Sequence, residues 1–235
     1  MSKMKVAIQG ELGAYSHIAA DRLYKDAVIT TCSTFEETFK QAFNNPSYKI
    51  VIPIENSLAG RVADIHYLLP KYKLQIHGEY FLPVEHNLLG KPDATIEDIK
   101  YVRSHAQAIS QCQNIISKRK FKSIISVDTA GSAKDLAEGK EKSIAAIASD
   151  LSAKMYNLKI LEKNIEDEKG NVTRFLIMGK NIEQPEYTVD KKFITSCIFR
   201  LKSEPSALYK CLGGFATNQV NLTKLESFSV KNTFD

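Results

Sequence analysis

Strand-like apolar runs and helical patterns alternate through the first 180 residues, and that alternation leaves few folds open. The runs are Lys5–Gln9, Ala27–Thr31, Lys49–Ile54, Ile99–Arg103, Ser123–Val127 and Ser143–Ala148. Helical patterns follow most of them, at Ser16–Lys25, Thr34–Asn44, Ser57–Leu69, Ala106–Lys118, Ser132–Glu138 and Leu151–Tyr156. The spacing predicts an α/β fold with mostly parallel sheets. Leu74–Pro92 interrupts the rhythm: it is extended, contains Pro83 and Pro92, and reads as a crossover from one sheet to another. Ile165–Gly179 supplies the return, so two lobes with a cleft between them are expected. A polar linker from Asn181 to Glu186 precedes a further unit: strand Phe193–Leu201, helix Ser206–Thr217 behind Pro205, strand Val220–Phe228.

At 235 residues the chain can bury a sizeable core, and 43% apolar with 25% charged residues is ordinary for a globular protein. The net charge of +5 is dispersed, so neither nucleic acid nor a membrane surface is implied; small anions are compatible partners. No apolar run is long enough to span a bilayer, and the start at Met1 shows no signal-peptide core. Cys32, Cys112, Cys197 and Cys211 lack CxxC spacing, and the five histidines lack an HxxxH pair. No metal and no cofactor is expected, and scattered core thiols fit a reducing cytoplasm.

Ligands of open α/β sheets bind beyond the carboxyl ends of the strands, where helix N-termini offer unpaired amides to anions. Small or polar residues occupy five such junctions: Gly10–Ser16, Glu55-Asn56-Ser57, Ser104–Gln107, Asp128–Ser132 and Ser149-Asp150. Each also has a plainer use. Ser16, Ser57, Ser104 and Ser132 suit helix N-caps, and His105 suits a cap. There is no GxGxxG, no GxxxxGK[ST] and no GxSxG. A sixth polar cluster is Gly170-Asn171-Val172-Thr173-Arg174-Phe175, which opens an apolar run through Gly179. A guanidinium keeps its charge, so Arg174 needs an anion nearby, either an internal carboxylate or a ligand. Together the junctions describe an amide-rich cleft suited to a small carboxylate.

Six of these segments resemble prephenate dehydratases in order: Gly10–Ser16, Ile52–Ser57, Ser104–Ala108, Thr129–Ala133, Ala145–Ser149 and Asn171–Phe175. Pro-Ile-Glu-Asn-Ser (53–57) and Asn-Val-Thr-Arg-Phe (171–175) are the specific parts. Glu204–Lys210 and Asn221–Ser227 resemble the start of an ACT regulatory domain, although Glu226-Ser227-Phe228-Ser229 stands where the family has Glu-Ser-Arg-Pro. The resemblance implies a two-lobed, periplasmic-binding-protein-like (type 2) catalytic domain over residues 1–180. Lobe 1 would take about 1–78 and 170–180, and lobe 2 about 79–169. A linker at 181–191 and an incomplete ferredoxin-like α+β ACT domain at 192–235 would follow.

The implied activity is decarboxylating dehydration of prephenate to phenylpyruvate on the route to phenylalanine, without a cofactor. By resemblance, Thr173 hydrogen-bonds or protonates the leaving hydroxyl, while Arg174 holds a carboxylate or fixes the shape of the site. Glu55 and Asn56 complete the catalytic set as positioning groups. Tyr15, Ser16, Ser57, Ser104, His105, Gln107, Thr129, Ala130 and Phe175 are implied to line the substrate site. Ser206, Ala207, Leu208, Glu226 and Ser227 are implied to bind an L-phenylalanine effector, in a homodimer or homotetramer. Two alternatives stay open: an arogenate dehydratase, for which Glu11 or Asp128 offers the extra carboxylate, and a non-catalytic two-lobed carboxylate-binding protein.

Overall fold

The computed structural model describes residues 3–181 and 186–227, which fall into two units divided between Glu183 and Gln184. The first unit opens with β1 (Lys5–Gln9), α1 (Tyr15–Leu23), β2 (Val28–Cys32), α2 (Phe35–Asn44) and β3 (Tyr48–Asn56). A short β4 (Gly60–Arg61), α3 (Ala63–Tyr72) and β5 (Gln75–Pro83) complete this stretch. Its second stretch comprises β6 (Asn87–Gly90), β7 (Tyr101–His105), α4 (Ala106–Ser110), α5 (Gln113–Arg119) and β8 (Lys122–Ser126). α6 (Thr129–Glu138), β9 (Ile144–Ala148), α7 (Asp150–Met155) and β10 (Lys159–Glu162) follow, and β11 (Val172–Gly179) returns.

Two sheets result, ordered β2-β1-β3-β11-β5, with β4 on β3, and β8-β7-β9-β6-β10. Each holds three parallel strands, β2-β1-β3 or β8-β7-β9, extended by antiparallel ones. The two lobes therefore share one topology, which no sequence repeat announces. It is the two-lobed, type 2 α/β arrangement with parallel-rich sheets. Both faces of each sheet are covered. Ile50, Ile52 and Met178 pack on Phe39 and Tyr72 on one side of the first sheet; Val6, Ile8 and Phe175 pack on Ala19 and Ala20 on the other. The second sheet buries Val102 and Ile147 against Ile109 and Ile116, and Leu89 and Ala146 against Ala133 and Ala153.

Two expectations need correction, and one strand is additional. The helix over Ser57–Leu69 begins only at Ala63, because the Asn56 side chain accepts the amides of Leu58 and Ala59 (3.0 and 2.8 Å) and closes a turn. The helix over Ala106–Lys118 breaks at Gln111-Cys112. There the Asp167 carboxylate accepts the amides of Gln113 and Asn114 (2.7 and 2.9 Å) and caps α5 from another element. The strand at Lys159–Glu162 was unforeseen.

In the second unit, α8 (Ala207–Thr217) forms, but no residue of 193–201 or 220–227 joins a ladder. The half ferredoxin-like fold is thus not formed among the described residues, and Phe228 and Ser229 lie outside them. The physical reason is that a strand exists only by pairing, and an isolated pair is marginal even when it forms. Leu208 and Tyr209 on α8 are exposed.

Candidate active site

In a sheet ordered 2-1-3, chain direction switches between the first and third strands, and the crevice lies beyond their carboxyl ends. In lobe 1 these ends lead into Gly10 and Asn56-Ser57; in lobe 2 they lead into His105 and Ser149. β11 runs antiparallel between β3 and β5, so its first residues meet the end of β3: Thr173 pairs with Asn56 and Arg174 with Glu55.

Thr173, nearly buried, accepts a hydrogen bond from Asn56 Nδ2 at 2.9 Å. The same Nδ2 donates to Asn171 Oδ1 at 2.6 Å. Asn171 Nδ2 donates to Gln111 Oε1 at 2.8 Å, and His86 Nε2 meets that oxygen at 3.0 Å. His86 Nδ1 lies 2.9 Å from the Tyr15 oxygen, and the single Tyr15 hydroxyl hydrogen also has the Glu85 carbonyl within reach at 2.7 Å. Six side chains from both lobes and the connections between them form one chain, from Thr173 to Tyr15. Asn171 and His86 expose 3% each, so every link is costly to break. Burial lowers the His86 pKa, against the hydrogen bond to the Gln111 oxygen and the Glu166 charge, which raise it. Burial also carries the Tyr15 hydroxyl well above its ordinary value, with Cys112 and Glu166 adding to the shift.

Arg174 is paired within the protein. Its Nε and Nη2 lie 2.7 and 2.6 Å from Glu79 Oε2, and its Nη1 stands 4.0 Å from Glu55 Oε2. Neighbours along a strand project to opposite faces, so Arg174 and Thr173 do not share a face of the sheet. Glu79 belongs to no motif of the sequence. The signal available was its place in the extended stretch 74–92, whose alternate residues face a neighbouring strand.

The other expected residues scatter. Ser104 is fully buried and donates to the Ile147 carbonyl at 2.7 Å, tying β7 to β9. His105 caps α4, accepting the Gln107 amide at 3.3 Å, and Gln107 itself is exposed. Ser57 Oγ accepts the Val172 amide at 2.9 Å, which binds the β3 turn to β11. Ser16 is buried inside α1, whose N-cap is Ala14, and so serves no cap. Thr129 opens α6 and Ala130 is wholly buried behind it, while the Asp128 carboxylate already takes the Gly131 amide. Phe175 exposes 1% and belongs to the core on the α1 side, which corrects its expected place on the cleft wall. In the second unit, Ala207 and Leu208 line an open hollow with Glu204 and Pro205, Ser206 precedes α8 in a left-handed conformation, and Glu226 and Ser227 lie in coil.

Residues 6–183 match the family model of prephenate dehydratase. The chain belongs to the prephenate dehydratase family. A bifunctional N-acyl-homoserine lactone acylase/prephenate dehydratase of Komagataeibacter europaeus is 39% identical over 232 residues, covering 97% of this chain and 81% of that protein. Arogenate dehydratase/prephenate dehydratase 2 of Arabidopsis thaliana, a chloroplastic protein, is 40% identical over 226 residues. That match covers 96% of this chain but 59% of the plant protein. Among solved structures, the prephenate dehydratase of Arthrobacter aurescens in complex with L-Phe superposes with a TM-score of 0.83 at 25% identity. It covers 95% of this chain and 76% of that one. The segments 53–57 and 171–175 meet in space: Asn56 of the first holds Thr173 of the second. Among the described residues no helix is long and apolar enough to cross a membrane.

Proposed function

We propose that this chain converts prephenate to phenylpyruvate, carbon dioxide and water. The observation that carries the reading is the state of Thr173. Its oxygen accepts from Asn56, and its own hydrogen meets no acceptor among the described residues. That hydrogen is available to the hydroxyl leaving the substrate ring. The ring carboxylate departs as carbon dioxide, the electrons of the broken C–C bond complete the aromatic ring, and the C–O bond breaks. The departing hydroxide takes up one proton and leaves as water. Thr173 orients and relays that proton; a threonine hydroxyl is too weak an acid to supply it unaided. Asn56 fixes the oxygen, and Arg174 with Glu79 stiffens the strand that presents it. Gln107 and Thr129 are the side chains proposed to meet a substrate carboxylate.

Prephenate is favoured over arogenate because Glu11 and Asp128, the two carboxylates the sequence offers for an ammonium, are engaged. Glu11 pairs with Lys134 at 3.2 Å, and Asp128 caps α6. The Komagataeibacter protein's name includes an acylase activity; here the Ser104 hydroxyl is donated to the Ile147 carbonyl and so is not paired with its neighbour His105. L-phenylalanine is the proposed effector, at Ser206, Ala207, Leu208, Glu226 and Ser227, in a homodimer or homotetramer.

Phenylpyruvate formation by wild type and Thr173→Val tests the reading, with arogenate as a second substrate. The variant is expected to lose on the order of 100-fold or more in kcat while staying folded. Undiminished turnover by Thr173→Val, or faster turnover of arogenate, would overturn it.

A further inference from the structure

The polarity of the buried side-chain chain is dictated from one end. The Leu58 and Ala59 amides can only donate, so the Asn56 atom that faces them is Oδ1 and the one that faces inward is Nδ2. Asn171 must then present Oδ1 to Asn56 and Nδ2 to Gln111, and Gln111 must present Oε1. That single oxygen is also the neighbour of His86 Nε2, so Nε2 must carry a hydrogen. Turning any one amide over would set two donors or two acceptors face to face in a buried site. The tautomer of His86 is therefore set by two backbone amides through three intervening side chains.

We propose that His86, as the Nε2–H tautomer, is a positioning residue for the dehydration, joining Tyr15 of lobe 1 to Gln111 of lobe 2 and so holding Asn56 and Thr173 in register. This rests on the dehydratase reading above. With Nε2 protonated and the ring neutral, Nδ1 is an acceptor, and the Tyr15 hydroxyl hydrogen has two acceptors in reach, Nδ1 and the Glu85 carbonyl. The ring stands edge-on to Tyr15, with centroids 5.8 Å apart at 76°, which limits its freedom to rotate. Its backbone amide is held in turn by Glu166 Oε2 at 2.9 Å. The imidazole sits between β5 and β6, where the chain crosses from one lobe to the other. A shift between the lobes therefore bears on both links of Gln111, to His86 and to Asn171. His86 touches neither Thr173 nor the cleft, so its effect belongs on the rate and not on substrate affinity.

Two measurements test the proposal. Two-bond nitrogen–proton correlation spectra of the histidine-labelled wild type, with the resonance assigned by its loss in His86→Gln, report the tautomer directly. The Nε2–H form is expected; an Nδ1–H form in an active enzyme overturns the positioning role. Steady-state kinetics with prephenate are then compared for His86→Leu and His86→Gln, since glutamine can keep a donor on Gln111 and leucine cannot. His86→Leu is expected to lose roughly 10- to 100-fold in kcat with little change in KM, and His86→Gln to recover most of it. Equal losses in the two variants, or a loss confined to KM, overturn it. Should His86→Leu fail to fold, the tautomer and the His86→Gln kinetics still decide. A folded wild type that does not turn over prephenate overturns the functional reading, and the positioning role falls with it.

Discussion

Asn56 shows how much one amide can organise. Its oxygen takes two backbone amides and so shapes the turn after β3, while its nitrogen donates to Asn171 and Thr173 from the other side. Replacing it by aspartate keeps the acceptor and removes the donors. Asn56→Asp should therefore preserve the turn but face the Asn171 oxygen with a second acceptor, lowering the melting temperature, and lower kcat by about 100-fold because Thr173 loses its anchor. Equal kcat in the two proteins would show that Thr173 needs no such support. Thr173 and Asn56 were legible in sequence because each opens or closes an apolar run with a polar residue, where packing gives no reason for one. Gln111 and His86 were not. Gln111 sits inside a stretch with good helical periodicity, and His86 lies between two prolines in a segment with none. Nothing local distinguishes a buried link from a solvated side chain when its partners are 25 and 60 residues away.

Arg174 makes the corresponding point for strands. The expectation that it needed an anion was sound, and the anion is Glu79 on β5, with Glu55 farther off. Arg174 pairs with Phe81, so Glu79 is the diagonal neighbour two residues along the same face of β5. The pair is about three-quarters buried, with side chains 23% and 28% exposed. Removing one partner costs more than the pair contributes, since it strands the other. Glu79→Ala should destabilise the protein by roughly 1–3 kcal/mol in urea unfolding. A loss below about half a kcal/mol would mean that Glu55 takes over the guanidinium. The same alternation separates Arg174 from Thr173, though the motif places them side by side. Periodicity located most strands and helices within a few residues. It failed where a side chain overrode it, at the Asn56 turn and the Asp167 cap, because a capping partner from a distant element leaves no periodic trace. The expected strands of residues 193–201 and 220–227 failed for another reason: apolar composition supplies a strand's faces but not its ladder.

Across the whole first unit, three histidines (His17, His77 and His86), each with its pKa lowered first of all by burial, and one glycine link the lobes' stability to solution conditions and to packing. Burial lowers the pKa of His77 from 6.5 to about 4, aided by the Lys49 charge, and burial lowers that of His86 as well. The unfolded chain therefore binds more protons than the folded one below about pH 6.5, and stability must fall as pH drops from there toward 4. Melting temperature should decline across that window and decline less in His77→Gln; a rise on acidification would contradict these assignments. Glu36, bonded first of all by Lys71, has its pKa lowered to about 2, so its contribution is lost only from the ordinary 4.5 downward and does not blur the histidine window. The lobes are also clasped by the turn after β1. Gly13 O accepts from Ser149 Oγ at 2.7 Å and Ser152 Oγ at 3.0 Å, and Leu12 O accepts from the Tyr156 hydroxyl at 2.8 Å. Gly13 holds φ at +91°, and a Cβ there would come within 2.6 Å of Ser152 Oγ and 2.8 Å of Ser152 Cα. Gly13→Ala pays twice, in backbone strain and in a collision that parts the lobes, so a loss of about 2–4 kcal/mol is expected. Trimming the hydroxyl in the double variant Gly13→Ala/Ser152→Ala relieves only the first contact, because the second is with backbone of α7. The double variant should therefore stay well below Ser152→Ala in melting temperature. Full rescue would mean that α7 can retreat, and that the two lobes are joined more loosely at this turn than along the chain from Tyr15 to Thr173.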